Sequence, residues 1–143
     1  MVDDNCLFCR IVSGELPATI VYEDMNSLAF LDHRPLFYGH TLLVPREHFE
    51  TLGDVSPPLI EPYFKAAQLL SLVVESAMEA EGTFVAMNNR VSQSVPHLHV
   101  HVVPRRKKDG LKGFFWPRTK YKSDEEMKQV QNKIQAALEK IKS

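Results

Sequence analysis

Apolar residues recur along this chain with two spacings, one typical of strands and one typical of helices. Short runs rich in β-branched and aromatic residues, bounded by turn-forming residues, predict five strands. They occupy residues 19–22, 28–31, 41–44, 83–87 and 97–103. The turn-rich segment 23–26 predicts that the first two strands form a hairpin.

Apolar residues at helical spacing predict one long helix between the third and fourth strands. It covers about residues 59–78, with Ser56 or a nearby residue as its N-terminal cap and Gly82 beyond its end. A short helix at 7–13, ended by Gly14, precedes the first strand.

A third helix is predicted near the end of the chain, where a capping box opens at Ser123 with Glu126 three residues later. Its apolar stripe contains Met127, Val130, Ile134, Ala137, Leu138 and Ile141. Together the elements predict an α+β fold, in which a five-stranded antiparallel sheet carries a long central helix, a short N-terminal helix and a C-terminal helix.

Length and composition are those of an ordinary globular domain. The chain has 143 residues, 44% of them hydrophobic and 24% charged, with a formal net charge of -1. This balance predicts one domain and no bulk attraction to nucleic acid or membrane. The acidic N-terminal residues lack the basic start and apolar run of a secretory signal, so we expect a cytoplasmic protein.

Three histidines at alternate positions are the strongest chemical signal in the chain. In a strand, His97, His99 and His101 would share one face. A rise of about 3.3 Å per residue would hold the outer two roughly 13 Å apart, so we do not expect all three to bind one metal ion. A solvated polar face is the alternative, but near-neutral imidazoles in register favour nucleophilic, acid-base or ligand roles.

Cys6 and Cys9 form a Cys-x-x-Cys pair, which is either half of a metal site or a redox pair. A reducing compartment disfavours a structural disulfide. A redox pair of the thioredoxin-like kind follows a strand, and only five residues precede Cys6. The metal interpretation is therefore favoured.

Several segments together resemble the histidine triad family of nucleotide hydrolases and transferases. The His-x-His-x-His segment is followed by two apolar residues, as in that family. Residues 6–11, 21–24, 28–32, 39–45, 48, 93–95 and 97–103 appear in the family's order. The resemblance implies a histidine triad (HIT) core at 1–109, with a C-terminal extension at 110–143 whose helix packs on the same domain.

The resemblance also implies a reaction. His99 would attack the α-phosphate of a nucleotide and form a covalent nucleotidyl-histidine intermediate, a role for which a neutral imidazole needs no separate base. His101 and Gln93 would contact the phosphate, and His40 would support the triad by hydrogen bonding. Taken alone, Gln93 would be assigned to a solvated turn or strand entry, and His40 to the surface ahead of a strand.

Nucleotide-binding residues are implied in the same way. The apolar Leu7, Phe8, Ile11 and Phe30 resemble the wall around the base, and Asp32 resembles the ribose-binding acid. Ser94 and Asn88 match phosphate contacts. Without the resemblance, the apolar residues would be assigned to the core, a role compatible with lining a pocket, and a turn role with Pro35 is as well supported for Asp32 as ribose binding.

Family members with this cysteine pair are similar to galactose-1-phosphate uridylyltransferases, which complete a metal site with two histidines. The matching set here is Cys6, Cys9, His48 and His97 around one structural zinc ion. Four protein ligands leave no open position for catalysis on the metal.

The C-terminal extension indicates which substrate to expect. Residues 113–118 and the following helix are similar to the fragile histidine triad branch, which favours diadenosine polyphosphates as substrates. Alternatives are a purine nucleoside phosphoramidase, a dinucleoside polyphosphate phosphorylase, or a catalytically weak nucleotide-binding zinc module. The basic run 105–108 could attract a polyphosphate, Trp116 could stack on a base or pack, and family resemblance implies a homodimer.

Overall fold

The structure, a computed structural model, describes residues 5–112 and 117–143. Trp116 and the aromatic residues beside it in the extension lie outside the described residues. The strands are β1 (Ile20–Glu23), β2 (Ser27–Leu31), β3 (Thr41–Pro45), β4 (Gly82–Ala86) and β5 (Val100–Arg105). They form one antiparallel sheet in the order β1-β2-β3-β5-β4, which confirms the predicted fold class.

Three α-helices accompany the sheet: α1 (Leu7–Val12), α2 (Pro57–Ala77) and α3 (Asp124–Lys142). A single 3₁₀ turn lies at Leu52–Asp54. None of the described helices combines the length and apolar character that a membrane span needs.

The two faces of the sheet carry different clusters of buried residues. On one face, side chains such as Leu43 and Val100 pack with the apolar side of α2. On the other face, side chains such as Phe30 and Leu42 pack with α1 and the cysteine pair. Because β2 and β3 are buried on both faces, they appear in the sequence as continuous apolar runs. The histidine side chains with predicted chemical roles lie on the face opposite α2.

The histidine-rich strand begins later than predicted, at Val100 instead of His97. Continuing the β3–β5 register beyond Leu43 and Val100 would place Pro45 opposite Leu98, and proline has no N–H for the ladder. The Leu98 N–H instead donates to the Phe49 carbonyl at 2.7 Å. His97 and His99 therefore precede the strand.

The chain divides into two compact units, Met1–Asp109 and Gly110–Ser143. In the second unit, the Ser123 hydroxyl accepts the Glu126 N–H at 3.1 Å, the cap that the sequence predicts for α3. No residue of α3 is buried, and the apolar stripe includes exposed Ile134 and Ile141. Packing of the extension on the core stays a prediction.

Candidate functional site

A cavity of about 520 Å³ opens on the histidine-bearing face of the sheet. Eight of the residues predicted to bind a nucleotide line it: Leu7, Phe8, Ile11, Phe30, Asp32, Ser94, His99 and His101. One end is apolar and the other presents imidazoles and a carboxylate. This distribution suits a ligand with a flat apolar part and an anionic part.

His99 has a defined orientation within this cavity. Its Nδ1–H donates to the His97 carbonyl at 2.8 Å, so the lone pair of the neutral ring lies on Nε2. Burial lowers the pKa of His99, with a smaller opposing effect from that backbone hydrogen bond. The ring is therefore neutral at pH 7 and carries an unprotonated nitrogen.

His101 has the opposite proton arrangement, which follows from a chain of hydrogen bonds. The Leu36 N–H donates to Nδ1 of His40 at 3.1 Å, so the proton of neutral His40 must lie on Nε2. That nitrogen lies 3.0 Å from Nδ1 of His101 and donates to it. The remaining proton of His101 is therefore on Nε2, which makes that nitrogen a hydrogen-bond donor beside the lone pair of His99.

Burial keeps the two supporting rings uncharged. It lowers the pKa of His101 to about 4, with further lowering by the neighbouring His99 and His40. Burial also lowers the pKa of His40, although the Asp32 carboxylate opposes the change. The site thus pairs the acceptor Nε2 of His99 with the donor Nε2–H of His101, and neither ring is positively charged.

Four side chains from three distant segments meet beside this cavity and could hold a metal ion: Cys6, Cys9, His48 and His97. The His97 Nδ1 lies 3.3 Å from the Cys6 sulfur, 3.5 Å from the Cys9 sulfur and 3.2 Å from Nδ1 of His48. A tetrahedral zinc site with Zn–S near 2.3 Å and Zn–N near 2.0 Å has ligand–ligand edges of about 3.3–3.8 Å. The donor set and its spacing fit such an ion.

Hydrogen bonds around these four residues favour metal binding. Nε2–H of His97 donates to the Pro45 carbonyl at 2.8 Å, which leaves Nδ1 unprotonated and facing the cysteines. The Cys6 sulfur also accepts the Cys9 N–H and caps α1. Local backbone geometry thus holds both sulfurs on the side of the two imidazoles.

Among the described residues, Asp32, His40 and His101 form a second group with clustered ligand atoms. Its hydrogen bonds argue against a metal ion. His40 would have to ligate through Nε2, and that nitrogen carries the proton because Nδ1 accepts the Leu36 N–H. We interpret this group as a proton-ordered network.

Asp32 combines the turn role and the position expected for a ribose contact. One carboxylate oxygen accepts the Arg34 N–H at 2.9 Å and stabilises the turn after β2. The other lies 3.7 Å from Nε2 of His40, and the residue lines the cavity. The turn therefore directs the carboxylate toward the site.

Gln93 and Asn88 are predicted site residues that do not line the cavity. The Gln93 side chain donates to the Glu50 carbonyl at 2.6 Å and accepts the Arg90 N–H at 2.7 Å. Asn88 donates to the Ser92 carbonyl at 3.2 Å. Both side chains hold the 88–93 loop, and their phosphate contacts stay predictions.

The basic run 105–108 is also engaged in the scaffold. Arg105 makes two contacts with the Asp109 carboxylate, at 2.6 and 3.0 Å. Arg106 donates to the Met78 carbonyl. Neither residue lines the cavity, so the structure gives no support to polyphosphate attraction by these two arginines.

Sequence reasoning missed several cavity residues: Pro17, Ala18, Thr19, Leu31, His33, Leu42 and Val95. Leu42 could have been found, because alternation within β3 places it on the face opposite Leu43. Residues 17–19 carry no local signal, since their place in the wall depends on how the chain returns after α1.

Comparison with known proteins gives a family match and enzymes with related sequences. A family model described as "HIT domain" matches residues 13–108. The chain is 34% identical to the adenosine 5'-monophosphoramidase of Schizosaccharomyces pombe over 138 residues, covering 94% of this chain and 98% of that protein. It is 32% identical to an adenylylsulfatase of Arabidopsis thaliana over 112 residues, covering 77% of this chain and 57% of that protein.

Solved structures with the same fold are also similar in sequence. A member of the HIT family from Bacillus subtilis has a TM-score of 0.84 and 32% identity, and the match covers 93% of this chain and 96% of that one. A zinc-bound histidine triad family protein from Mycobacterium smegmatis has a TM-score of 0.71 and 35% identity, with 96% and 97% covered.

Proposed function

Because this chain belongs to the HIT domain family, we propose that it is an enzyme that hydrolyses or transfers nucleotidyl groups through a covalent intermediate on His99. Relatives named as an adenylylsulfatase and an adenosine monophosphoramidase support a nucleotide hydrolase. The observation that carries the proposal is the unprotonated Nε2 of His99 in a cavity that also contains a donor N–H of His101.

In this reaction, the base occupies the apolar end of the cavity and Asp32 accepts hydrogen bonds from the ribose. Nε2 of His99 attacks the α-phosphorus, so an N–P bond forms as the bond to the leaving group breaks. The positive charge that develops on the ring is stabilised through Nδ1–H, which the His97 carbonyl accepts. Water or another acceptor then attacks phosphorus and releases His99.

His101 contributes a hydrogen bond to a phosphoryl or leaving oxygen as negative charge develops there. A neutral ring with a pKa of about 4 donates this bond without transferring its proton. Leaving groups that depart as anions, such as polyphosphate or sulfate, need no proton, whereas an amine does. We therefore favour diadenosine polyphosphates as substrates and keep adenosine phosphoramidates as the alternative.

The experiment compares turnover of a diadenosine polyphosphate, adenosine 5'-phosphosulfate and an adenosine phosphoramidate by the wild type and His99→Ala. We expect His99→Ala to lose at least about 10³-fold in turnover while AMP affinity changes little, because the variant removes the nucleophile. Mass spectrometry of enzyme quenched during turnover should find the nucleotide on His99. Lys65→Ala, on the exposed side of α2, controls for effects of purification.

Turnover that survives in His99→Ala would contradict the covalent route. Proteins that bind AMP but convert none of the three substrates would support the alternative of a nucleotide-binding zinc module. A preference for the phosphoramidate would overturn the polyphosphate assignment and leave the role of His99 standing.

We also propose that the ion held by Cys6, Cys9, His48 and His97 is zinc, with a structural role. When bound, such an ion supplies a cross-link between the N-terminal segment and the segments that carry the histidines. Metal analysis of the purified protein should give about one zinc ion per chain. The homodimer and the cytoplasmic location implied earlier stay proposals.

A further inference from the structure

The metal-binding cluster and the nucleotide cavity share one short segment of chain. Cys6 and Cys9 flank Leu7 and Phe8, and both of these intervening residues line the cavity. Ile11, also in α1, lines the same wall. Since α1 has only six residues, it is too short to be a stable helix by itself. Its position therefore depends on its packing against the sheet and on what holds its two cysteines.

Phe8 connects the metal-binding cluster to His99 through contacts of its side chain. Its ring is buried, with its centroid 5.1 Å from that of His99 at an interplanar angle of 86°. It also lies 5.9 Å from the His97 ring and 5.4 Å from the Phe30 ring. These edge-to-face contacts place Phe8 between a metal-ligating residue, the nucleophile and the wall of the base pocket.

His97 connects the same two sites through the backbone. Its Nδ1 faces the cysteine sulfurs, while its carbonyl accepts the Nδ1–H of His99 at 2.8 Å. A shift of His97 on loss of the ion would move the acceptor that orients His99. The cluster thus acts on the cavity by two routes, one through Phe8 and one through the His97 carbonyl.

We propose that metal binding and nucleotide binding are thermodynamically coupled, each strengthening the other, with Phe8 as a positioning residue that transmits part of the effect. The inference rests on the proposed function, since it assumes that a nucleotide occupies the cavity. An ordered α1 presents a preformed wall to the nucleotide, and a bound nucleotide holds α1 over the ion. Linkage requires the two effects to be equal in size.

The test measures the zinc affinity of the protein by equilibrium competition with a chromogenic chelator, with and without saturating AMP. AMP lacks a leaving group at the α-phosphate, so the measurement does not depend on catalysis. We expect AMP to strengthen zinc binding by at least about fivefold, at the low end of typical allosteric couplings. Inorganic phosphate at the same concentration controls for direct effects of an anion on zinc.

Matched substitutions separate the positioning role from simple packing. Phe8→Leu should reduce the effect of AMP on zinc affinity without abolishing it. A leucine keeps an apolar core residue but loses the ring contacts with His97 and His99, while the route through the His97 carbonyl remains. Phe30→Leu changes the same wall from β2, outside the cysteine segment. It should weaken AMP binding yet preserve the effect on zinc affinity once AMP is saturating.

The outcomes distinguish the inference from the function on which it rests. AMP that binds but leaves zinc affinity unchanged overturns the coupling and leaves the proposed function standing. No AMP binding in a direct titration contradicts both. An equal effect of AMP on zinc affinity in Phe8→Leu and the wild type overturns the role of Phe8, because transmission would then run through the His97 carbonyl alone.

Discussion

Identical imidazoles acquire different chemistry at this site because different neighbours fix their protons. His99 gives its Nδ1 proton to a carbonyl and keeps a lone pair on Nε2. His101 receives a proton from His40 and keeps its own proton on Nε2. The Leu36 amide decides the second case, since a backbone N–H can act only as a donor. The Leu36 N–H therefore sets the proton position of His101 through the intervening His40 ring.

The lowered pKa of His101 predicts a dependence of stability on pH. In the unfolded chain this ring takes up a proton near pH 6.5, but in the folded protein only near pH 4. The unfolded state therefore binds more protons between these values, and the free energy of unfolding falls as pH drops from about 6.5 to about 4. Urea unfolding of the wild type and His101→Gln across this range should show a shallower decrease for the variant. Parallel curves would contradict a half-buried His101 that stays neutral in this range.

At the scale of elements, the connection between β2 and β3 supplies three residues of this network, and β5 supplies His101. Asp32 begins the connection and His40 ends it, with Leu36 between them. Gly39 allows the chain to turn into β3, because its φ of +98° lies in the region that glycine adopts most readily. The connection also packs closely against the Met78 side chain at Gly39.

Gly39→Ala should destabilise the protein more than Gly14→Ala. Both positions have positive φ, at +98° and +85°, so each alanine carries a backbone strain of about 1–2 kcal/mol. At Gly39 the added Cβ would also lie 2.6 Å from Cγ of Met78, whereas open space surrounds Gly14. Urea unfolding should give a larger loss for Gly39→Ala, from the displacement of Met78. Equal losses would show that Met78 moves aside at no cost.

At the scale of the whole molecule, the sheet separates the larger part of the core from the candidate site. The α2 face contains the larger buried cluster, which includes Tyr63 and Leu70. The opposite face contains α1, the cysteines and the cavity. Substitutions beneath α2 should therefore act mainly through stability, and substitutions on the other face through binding and turnover.

A shortened chain that ends at Asp109 tests whether the unit Met1–Asp109 folds and binds a nucleotide without the extension. Both buried clusters and all cavity residues belong to Met1–Asp109. We expect this shortened chain to unfold cooperatively and to bind AMP within about threefold of the full chain. Circular dichroism and calorimetric titration give the two measurements. A lower urea midpoint would support packing of the extension on the core, and loss of cooperative unfolding would contradict self-sufficiency.

Particular residues show which features of the fold and of the site could be predicted from the sequence. Alternation and helical spacing were enough for the five strands and three helices, because these signals are local. The pairing of Cys6 and Cys9 with His48 and His97 was implied by family resemblance, and the structure brings these four side chains together. Gln93 is bonded to Glu50 and Arg90 and does not line the cavity, so its phosphate contact stays a prediction.

By itself the sequence determined the α+β architecture and the set of histidines, cysteines and apolar residues from which a site could be built. Tertiary structure alone decided where the histidine strand begins, that the His40 ring donates to His101, and that Phe8 touches both His97 and His99. The physical reason is the range of the interactions. Backbone periodicity and the hydrogen bonds that orient His40 and His99 act between residues close in the chain, whereas these contacts join groups that are far apart in the sequence and meet only after folding.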